Sequence, residues 1–116
     1  MAGFVSGDVV VVPFPFTDLS TQKRRPAIVV ASFTRGDLLI CQVTSSADTH
    51  PVSLPLTHAD FAHGGLPRAS FALPHRLVTV HESIVLRAAG RLTPPTVQRL
   101  IDLICETIRG AATASR

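Results

Sequence analysis

Cysteine, charged residues and long hydrophobic runs are all scarce in this 116-residue sequence, and each scarcity excludes a class of protein. The two cysteines form no CxxC pair and lack the spacing of a zinc or redox site. No run approaches the ~20 apolar residues of a membrane span, and the N-terminus lacks the pattern of a secretory signal. Charged residues make up only 16% of the chain, too few for a disordered protein. We expect a soluble cytoplasmic protein with one domain over residues 1–116 and a core at about 7–109.

The two cysteines occupy apolar patterns. Cys41 lies inside a hydrophobic run, and Cys105 lies in a segment with helical periodicity. We expect both side chains to be buried thiols, with no disulfide required.

Short apolar runs separated by turn residues predict strands in the first two-thirds of the chain. The predicted strands cover Asp8–Phe14, Pro26–Phe33 and Leu38–Thr44, and the continuous valines of the first indicate burial on both faces. A tight turn at Thr34–Asp37 joins the second and third strands, with Gly36 at a position that tolerates positive φ.

The second half of the chain predicts further strands. Pro51–Thr57 alternates apolar and polar residues, as an edge strand does, and Asp60–Pro67 reads as a loop because of its paired glycines. Ser70–His81 is one bent strand or two short ones. Glu82–Arg91 is a short helix or turn that leads into a last strand.

A helix is predicted to follow, with Thr93 as its cap, Pro94 in its first turn and Gly110 at its end. Its apolar positions recur at helical spacing: Val97, Leu100, Ile101, Ile104 and Ile108. The fold class is therefore α+β, a small and mostly antiparallel barrel or half-barrel that packs against a C-terminal helix.

Most catalytic chemistries have no signature in the sequence. The five histidines are scattered without ligand spacing, and neither a GxSxG motif nor a phosphate-binding glycine loop is present. We expect no metal and no cofactor. The formal net charge of +3 permits nucleic acid or an acidic protein as a partner.

Three consecutive cations, Lys23, Arg24 and Arg25, precede the second strand. Thr44 and Ser45 close the third strand, and pairing of the two strands about their turn would place these hydroxyls opposite Arg25. Guanidinium groups and hydroxyls at one end of a hairpin can bind phosphate. The alternative is purely structural, with Arg25 capping a strand end and Thr44 bonding to backbone groups.

At these residues the chain resembles the MazF/PemK family of toxin ribonucleases, from about residue 7 to residue 108. The matching segments occur in the family's order: Gly7-Asp8-Val9-Val10, Arg25-Pro26-Ala27-Ile28-Val29-Val30, Ile40-Cys41-Gln42-Val43-Thr44-Ser45, Gly64-Gly65-Leu66, Ser70-Phe71-Ala72, Leu77-Val78-Thr79-Val80 and Gly90-Arg91-Leu92. The resemblance implies the SH3-like barrel that MazF and CcdB toxins share.

The resemblance also implies a function. Family members are sequence-specific, metal-independent endoribonucleases of type II toxin–antitoxin systems, which suggests Arg25 and Thr44 as catalytic residues. Attack by the RNA 2′-hydroxyl would leave a 2′,3′-cyclic phosphate and a 5′-hydroxyl. The expected RNA-binding residues are Lys23, Arg24, Ser45 and Arg76. The expected partners are single-stranded RNA, a cognate antitoxin and a second copy of the chain.

The chain departs from the family pattern at two places. Thr21 stands near a position where many relatives have glutamate, and Val78 stands where many have arginine. Asp18, His75 or His81 could replace the missing acid or base. Two alternatives therefore stay open, a CcdB-like toxin that binds gyrase and a family member that cleaves poorly.

Overall fold

The computed structural model describes residues 3–14, 23–46 and 51–114, and a seven-stranded antiparallel sheet dominates this part of the chain. The sheet curls into a half-barrel in the order β4-β6-β3-β2-β1-β7-β5, and the one α-helix of these residues follows the last strand. This architecture confirms the predicted fold class. The elements are β1 Asp8–Phe14, β2 Lys23–Ser32, β3 Asp37–Thr44, β4 Leu54–Leu56, β5 Phe61–Gly64, β6 Ser70–His81, β7 Arg87–Leu92 and α1 Pro94–Ala114.

Each face of the sheet carries its own hydrophobic cluster. Side chains alternate along a strand, so Val9 packs with the buried Leu100 and Ile104 of α1, whereas Val10 packs with Leu38 and Ile40 on the opposite face. All four valines of β1 are at most 8% exposed, which confirms the predicted burial on both sides.

The β2–β3 hairpin forms as predicted. A 3₁₀ turn at Thr34–Gly36 joins the strands. Gly36 has a φ of 81°, a backbone conformation that residues other than glycine rarely adopt. Strand β2 begins at Lys23, three residues before the predicted start, because its first residues pair with β1 as far as Phe14.

The predicted loop at 60–67 was wrong, because Phe61–Gly64 forms β5 and pairs with β7. Glycine is needed here for close backbone approach. A Cβ on Gly64 would lie 2.3 Å from the carbonyl oxygen of Ala89, and φ at Gly64 is 70°. The glycine pair that suggested a loop therefore allows two strands to lie against each other.

The helix extends beyond its predicted end at Gly110 and reaches Ala114. The alanines that follow are strong helix formers, so α1 continues through a glycine at a cost of about 1 kcal/mol. Cys105 is exposed, contrary to prediction, because it lies one residue past the buried Ile104 and so about 100° around the helix. Among the described residues, no helix is both long and apolar enough to cross a membrane.

Candidate active site

A cavity of about 470 Å³ opens at the end of the sheet where β2 begins and β3 ends. The structure brings four of the predicted site residues to it, and these are Arg24, Arg25, Thr44 and Ser45. Among the described residues, its lining is Val11, Arg24, Arg25, Pro26, Val43, Thr44, Ser45, Leu66, Pro67, Arg68, Ser70, Leu86 and Arg87.

Strand register explains why Arg25 and Thr44 meet. Ala27 of β2 lies opposite Gln42 of β3, and the pairing is regular toward the turn as far as Val29. The pairing ends at Ala27 and Gln42, and continued by two residues toward the open end the same register would set Arg25 opposite Thr44. Side chains two residues apart on a strand point to the same face of the sheet. Arg25 would therefore share the face of Ala27, and Thr44 that of Gln42.

The Thr44 hydroxyl contacts the backbone of the loop that follows it. The Ser46 backbone N–H donates to Thr44 Oγ1 at 3.1 Å, so the hydroxyl oxygen acts here as an acceptor. This contact matches the structural alternative for Thr44, since it satisfies a backbone group. A hydroxyl can accept and donate at once, so this bond is compatible with donation of the Thr44 hydroxyl hydrogen to a ligand.

Positive charge dominates the polar lining of the cavity. Arg68 and Arg87 join Arg24 and Arg25, although sequence reasoning did not select them. The connection between β5 and β6 carries Arg68, and Arg87 begins β7 directly opposite Val11 of β1. Both positions depend on contacts between distant parts of the chain, and no local pattern marks them.

The cavity arginines take no part in the ion pairs found among residues 3–14, 23–46 and 51–114. Those pairs join Arg91 to Asp8 at 2.7 Å and Arg99 to Asp60 at 3.0 Å. Four guanidinium groups around one cavity, with no carboxylate in the described lining, form a site for an anion that carries several charges.

Other predicted residues lie elsewhere. Lys23 and Arg76 are exposed on β2 and β6, and neither is among the described residues that line the cavity. His75 is also exposed on β6 and outside the lining. Asp18 and Thr21 lie outside the described residues.

His81 lies far from the cavity. It pairs with Asp37 at the start of β3, whereas Thr44 ends that strand, so seven residues at ~3.3 Å each separate the two positions by roughly 23 Å. The His81 ring instead bonds to Ser83 and to the carbonyl oxygen of Arg35. It therefore cannot act as acid or base between Arg25 and Thr44 of the same chain.

Comparison with known proteins places these features in a family. A family model described as a PemK-like, MazF-like toxin of type II toxin–antitoxin systems matches residues 6–108. A search of curated proteins found no match.

Several solved structures also share the fold, including the following three. The first is a mycobacterial endoribonuclease in complex with its cognate antitoxin, with 16% identity, coverage of 95% of this chain and 96% of that chain, and a TM-score of 0.68. A second mycobacterial endoribonuclease has 16% identity, 93% coverage of each chain and a TM-score of 0.69. The structure of MazE–MazF from Deinococcus radiodurans has 17% identity and a TM-score of 0.69, and the match covers 90% of this chain and 95% of that chain. At such identity these structures support the fold, and the family model adds the assignment: the chain belongs to the PemK/MazF family of toxins of type II toxin–antitoxin systems.

Proposed function

We propose that this toxin is a sequence-specific, metal-independent endoribonuclease that cleaves single-stranded RNA through attack of the RNA 2′-hydroxyl. One observation carries the proposal: Arg25 and Thr44 line a single cavity together with three further arginines. The relatives of known structure named as endoribonucleases add support from the same fold.

The reaction needs a site that stabilises charge. The 2′-oxygen attacks phosphorus, the bond to the 5′-oxygen breaks, and the products are a 2′,3′-cyclic phosphate and a 5′-hydroxyl. The substrate supplies the nucleophile, so the protein need not provide an activated water. Arg25 stabilises the negative charge that builds on the phosphoryl oxygens, and the Thr44 hydroxyl donates to one of them.

Proton transfer completes the reaction, with the 2′-hydroxyl losing a proton and the departing 5′-oxygen gaining one. No carboxylate or imidazole belongs to the described lining of the cavity. Arg25 is the proposed proton donor to the leaving oxygen, and Asp18 and His75 stay open as the acid or base that replaces the missing glutamate.

The remaining arginines bind the flanking phosphates. Arg24, Arg68 and Arg87 surround the cavity, and the Ser45 hydroxyl lies beside Thr44. Each guanidinium can form two parallel hydrogen bonds with a phosphate. Lys23 and Arg76, exposed beyond the cavity, stay predicted contacts to more distant phosphates.

A cognate antitoxin and a second copy of the chain are the proposed protein partners. Two of the structurally similar proteins are named as toxin–antitoxin pairs. An acidic segment of an antitoxin would compete with RNA for the same arginines. Sedimentation at micromolar concentration should show a dimer, and a monomer there would contradict the second partner.

The chemistry of the cut ends tests the proposed reaction. Purified protein is incubated with a long single-stranded RNA and excess chelator, and primer extension maps the cuts. We expect discrete cuts at a recurring motif, with 5′-hydroxyl ends that polynucleotide kinase labels directly. Ends carrying a 5′-phosphate, or cutting abolished by the chelator, would contradict the mechanism, and no cutting by folded protein would favour a CcdB-like or poorly active toxin.

A further inference from the structure

A second cavity, of about 360 Å³, lies beside the first. It is bounded by the segment from β4 through the 3₁₀ turn His58–Asp60 into β5, and by the connection from β5 to β6. Its lining is Leu56, Thr57, His58, Phe61, Gly65, Leu66, Pro67, Arg68, Ala69 and Ser70.

The two cavities share a wall. Leu66, Pro67, Arg68 and Ser70 line both, so the two cavities adjoin along this segment. The Ser70 hydroxyl donates to the Arg68 carbonyl oxygen at 2.8 Å and fixes the backbone between the cavities. Arg68 is exposed at the junction, where a guanidinium can bind the phosphate that joins two nucleotides.

The lining of the second cavity suits a nucleobase. Phe61 and Leu66 are partly buried and Pro67 is exposed, so all three offer apolar surface, and His58 is exposed beside them. A base has an apolar face that stacks on rings and a polar edge that hydrogen-bonds, so it needs both kinds of surface.

The turn that carries His58 is held rigidly. The Asp60 carboxylate accepts from the Thr57 backbone N–H at 2.7 Å and from the Thr96 hydroxyl at 2.8 Å, and Arg99 donates to it at 3.0 Å. These bonds tie the turn to the start of α1. A site built on such fixed backbone discriminates between ligands, because little ordering is left to occur on binding.

We propose that the second cavity binds the RNA base next to the scissile linkage and sets part of the cleavage motif, with His58 and Phe61 as the residues that contact the base. This inference rests on the proposed ribonuclease function. It adds a specificity site on β4 and β5, away from the reacting atoms. The shared wall with a cavity lined by four arginines favours a polynucleotide, whose phosphate charge repeats at every nucleotide, over a segment of an antitoxin.

Binding without cleavage tests the inference apart from the reaction. The probes are four homopolymeric 2′-O-methyl RNA decamers, which lack the attacking hydroxyl, and fluorescence anisotropy measures their affinities. We expect the unchanged protein to prefer one base by about tenfold, and His58→Ala and Phe61→Leu to lose most of that preference. Arg24→Ala should weaken all four complexes alike, because phosphate contacts carry no base information.

His63→Ala is the matched control, since His63 is exposed on β5 and outside the described lining of both cavities. It should keep the ranking of the four decamers. Phe61→Leu keeps apolar volume, and circular dichroism checks its fold. His58→Ala removes an exposed side chain, so it provides a test even if the Phe61 variant is unstable.

Mapping of cuts then links binding to function. In a long RNA, His58→Ala should relax the motif at one position beside the cut while cutting continues. Equal affinity of the unchanged protein for all four decamers would overturn the inference, as would an intact ranking in both variants. The inference would also be overturned if His58→Ala and Phe61→Leu bound the decamers normally and lost affinity only for an acidic antitoxin peptide. If the folded protein prefers one decamer but never cuts RNA, the base site stands and the proposed reaction is refuted.

Discussion

At the scale of single residues, Asp60 accepts more hydrogen bonds than any other carboxylate in the described chain. Burial by itself raises the pKa of Asp60, but hydrogen bonds from Thr57, Thr96 and Arg99 outweigh it and bring the pKa below its ordinary 3.8. The folded state therefore holds the charged form more strongly than the unfolded state does. This stabilisation is present above the unfolded pKa and is lost as the pH falls through the lower, folded pKa.

Asp60→Asn should destabilise the protein by about 1–3 kcal/mol at pH 7, because hydrogen bonds to a charged acceptor are lost. The difference from the unchanged protein should shrink below about pH 4, where the carboxylate of the unfolded chain is already protonated. Urea unfolding at pH 7 and at a pH below about 4 measures the loss of stability and its decrease in acid. Asp102→Asn, at an exposed helix position, is the control, and an equal Asp60 effect at both pH values would contradict the argument.

The two thiols should differ sharply in reactivity. Burial raises the pKa of Cys41 to about 12, so almost no thiolate forms near neutral pH, whereas Cys105 is exposed on α1. A disulfide reagent at about pH 8 should label one thiol per folded chain and two in denaturant. Mass spectrometry identifies the labelled residue, and rapid labelling of Cys41 in the folded protein would show that the β3 core opens readily.

At the scale of elements, the sequence allowed the β2–β3 hairpin to be predicted because a short turn joins its two strands. Counting outward from Thr34–Asp37 placed Arg25 near Thr44, but the register shift between Val29 and Ala31 has no signature in the sequence. Arg68 and Arg87 could not be found in this way, because β7 reaches β1 only through pairing across most of the chain. The length of α1 was underestimated for a different reason, since a single exposed glycine is tolerated in a helix.

The contact between β5 and β7 should be intolerant of a side chain at Gly64. Gly64→Ala should cost about 2–4 kcal/mol, since the added Cβ would lie 2.3 Å from the carbonyl oxygen of Ala89 and φ is 70°. Gly65→Ala is the matched control, because its Cβ would have no atom within 4 Å, and it should change stability by less than about 0.5 kcal/mol. Equal urea midpoints for the two variants would show that the strands can move apart at little cost.

At the scale of the whole molecule, positive charge gathers at the open end of the half-barrel. Binding of single-stranded RNA there should release counterions, so affinity should fall steeply with salt. Arg68→Ala or Arg87→Ala should reduce the slope of log affinity against log salt by about 0.7, the value for one phosphate contact on a single strand. Arg109→Ala, at an exposed position of α1, should leave the slope unchanged.

This test uses the 2′-O-methyl decamers, so cleavage does not interfere. Identical slopes for Arg68→Ala and the unchanged protein would mean that the backbone of RNA does not pass Arg68. That result would contradict the placement of substrate in both cavities.

The central claim concerns Arg25, and single-turnover cleavage of RNA in the presence of chelator tests it most directly. The comparison uses the unchanged protein, Arg25→Ala and Arg109→Ala, each shown by circular dichroism to be folded. We expect Arg25→Ala to cleave about 10²–10³-fold more slowly at the same motif, because a donor to the developing charge is lost, and Arg109→Ala to match the unchanged protein. Cleavage by Arg25→Ala at the unchanged rate and motif would contradict the assignment of the active site.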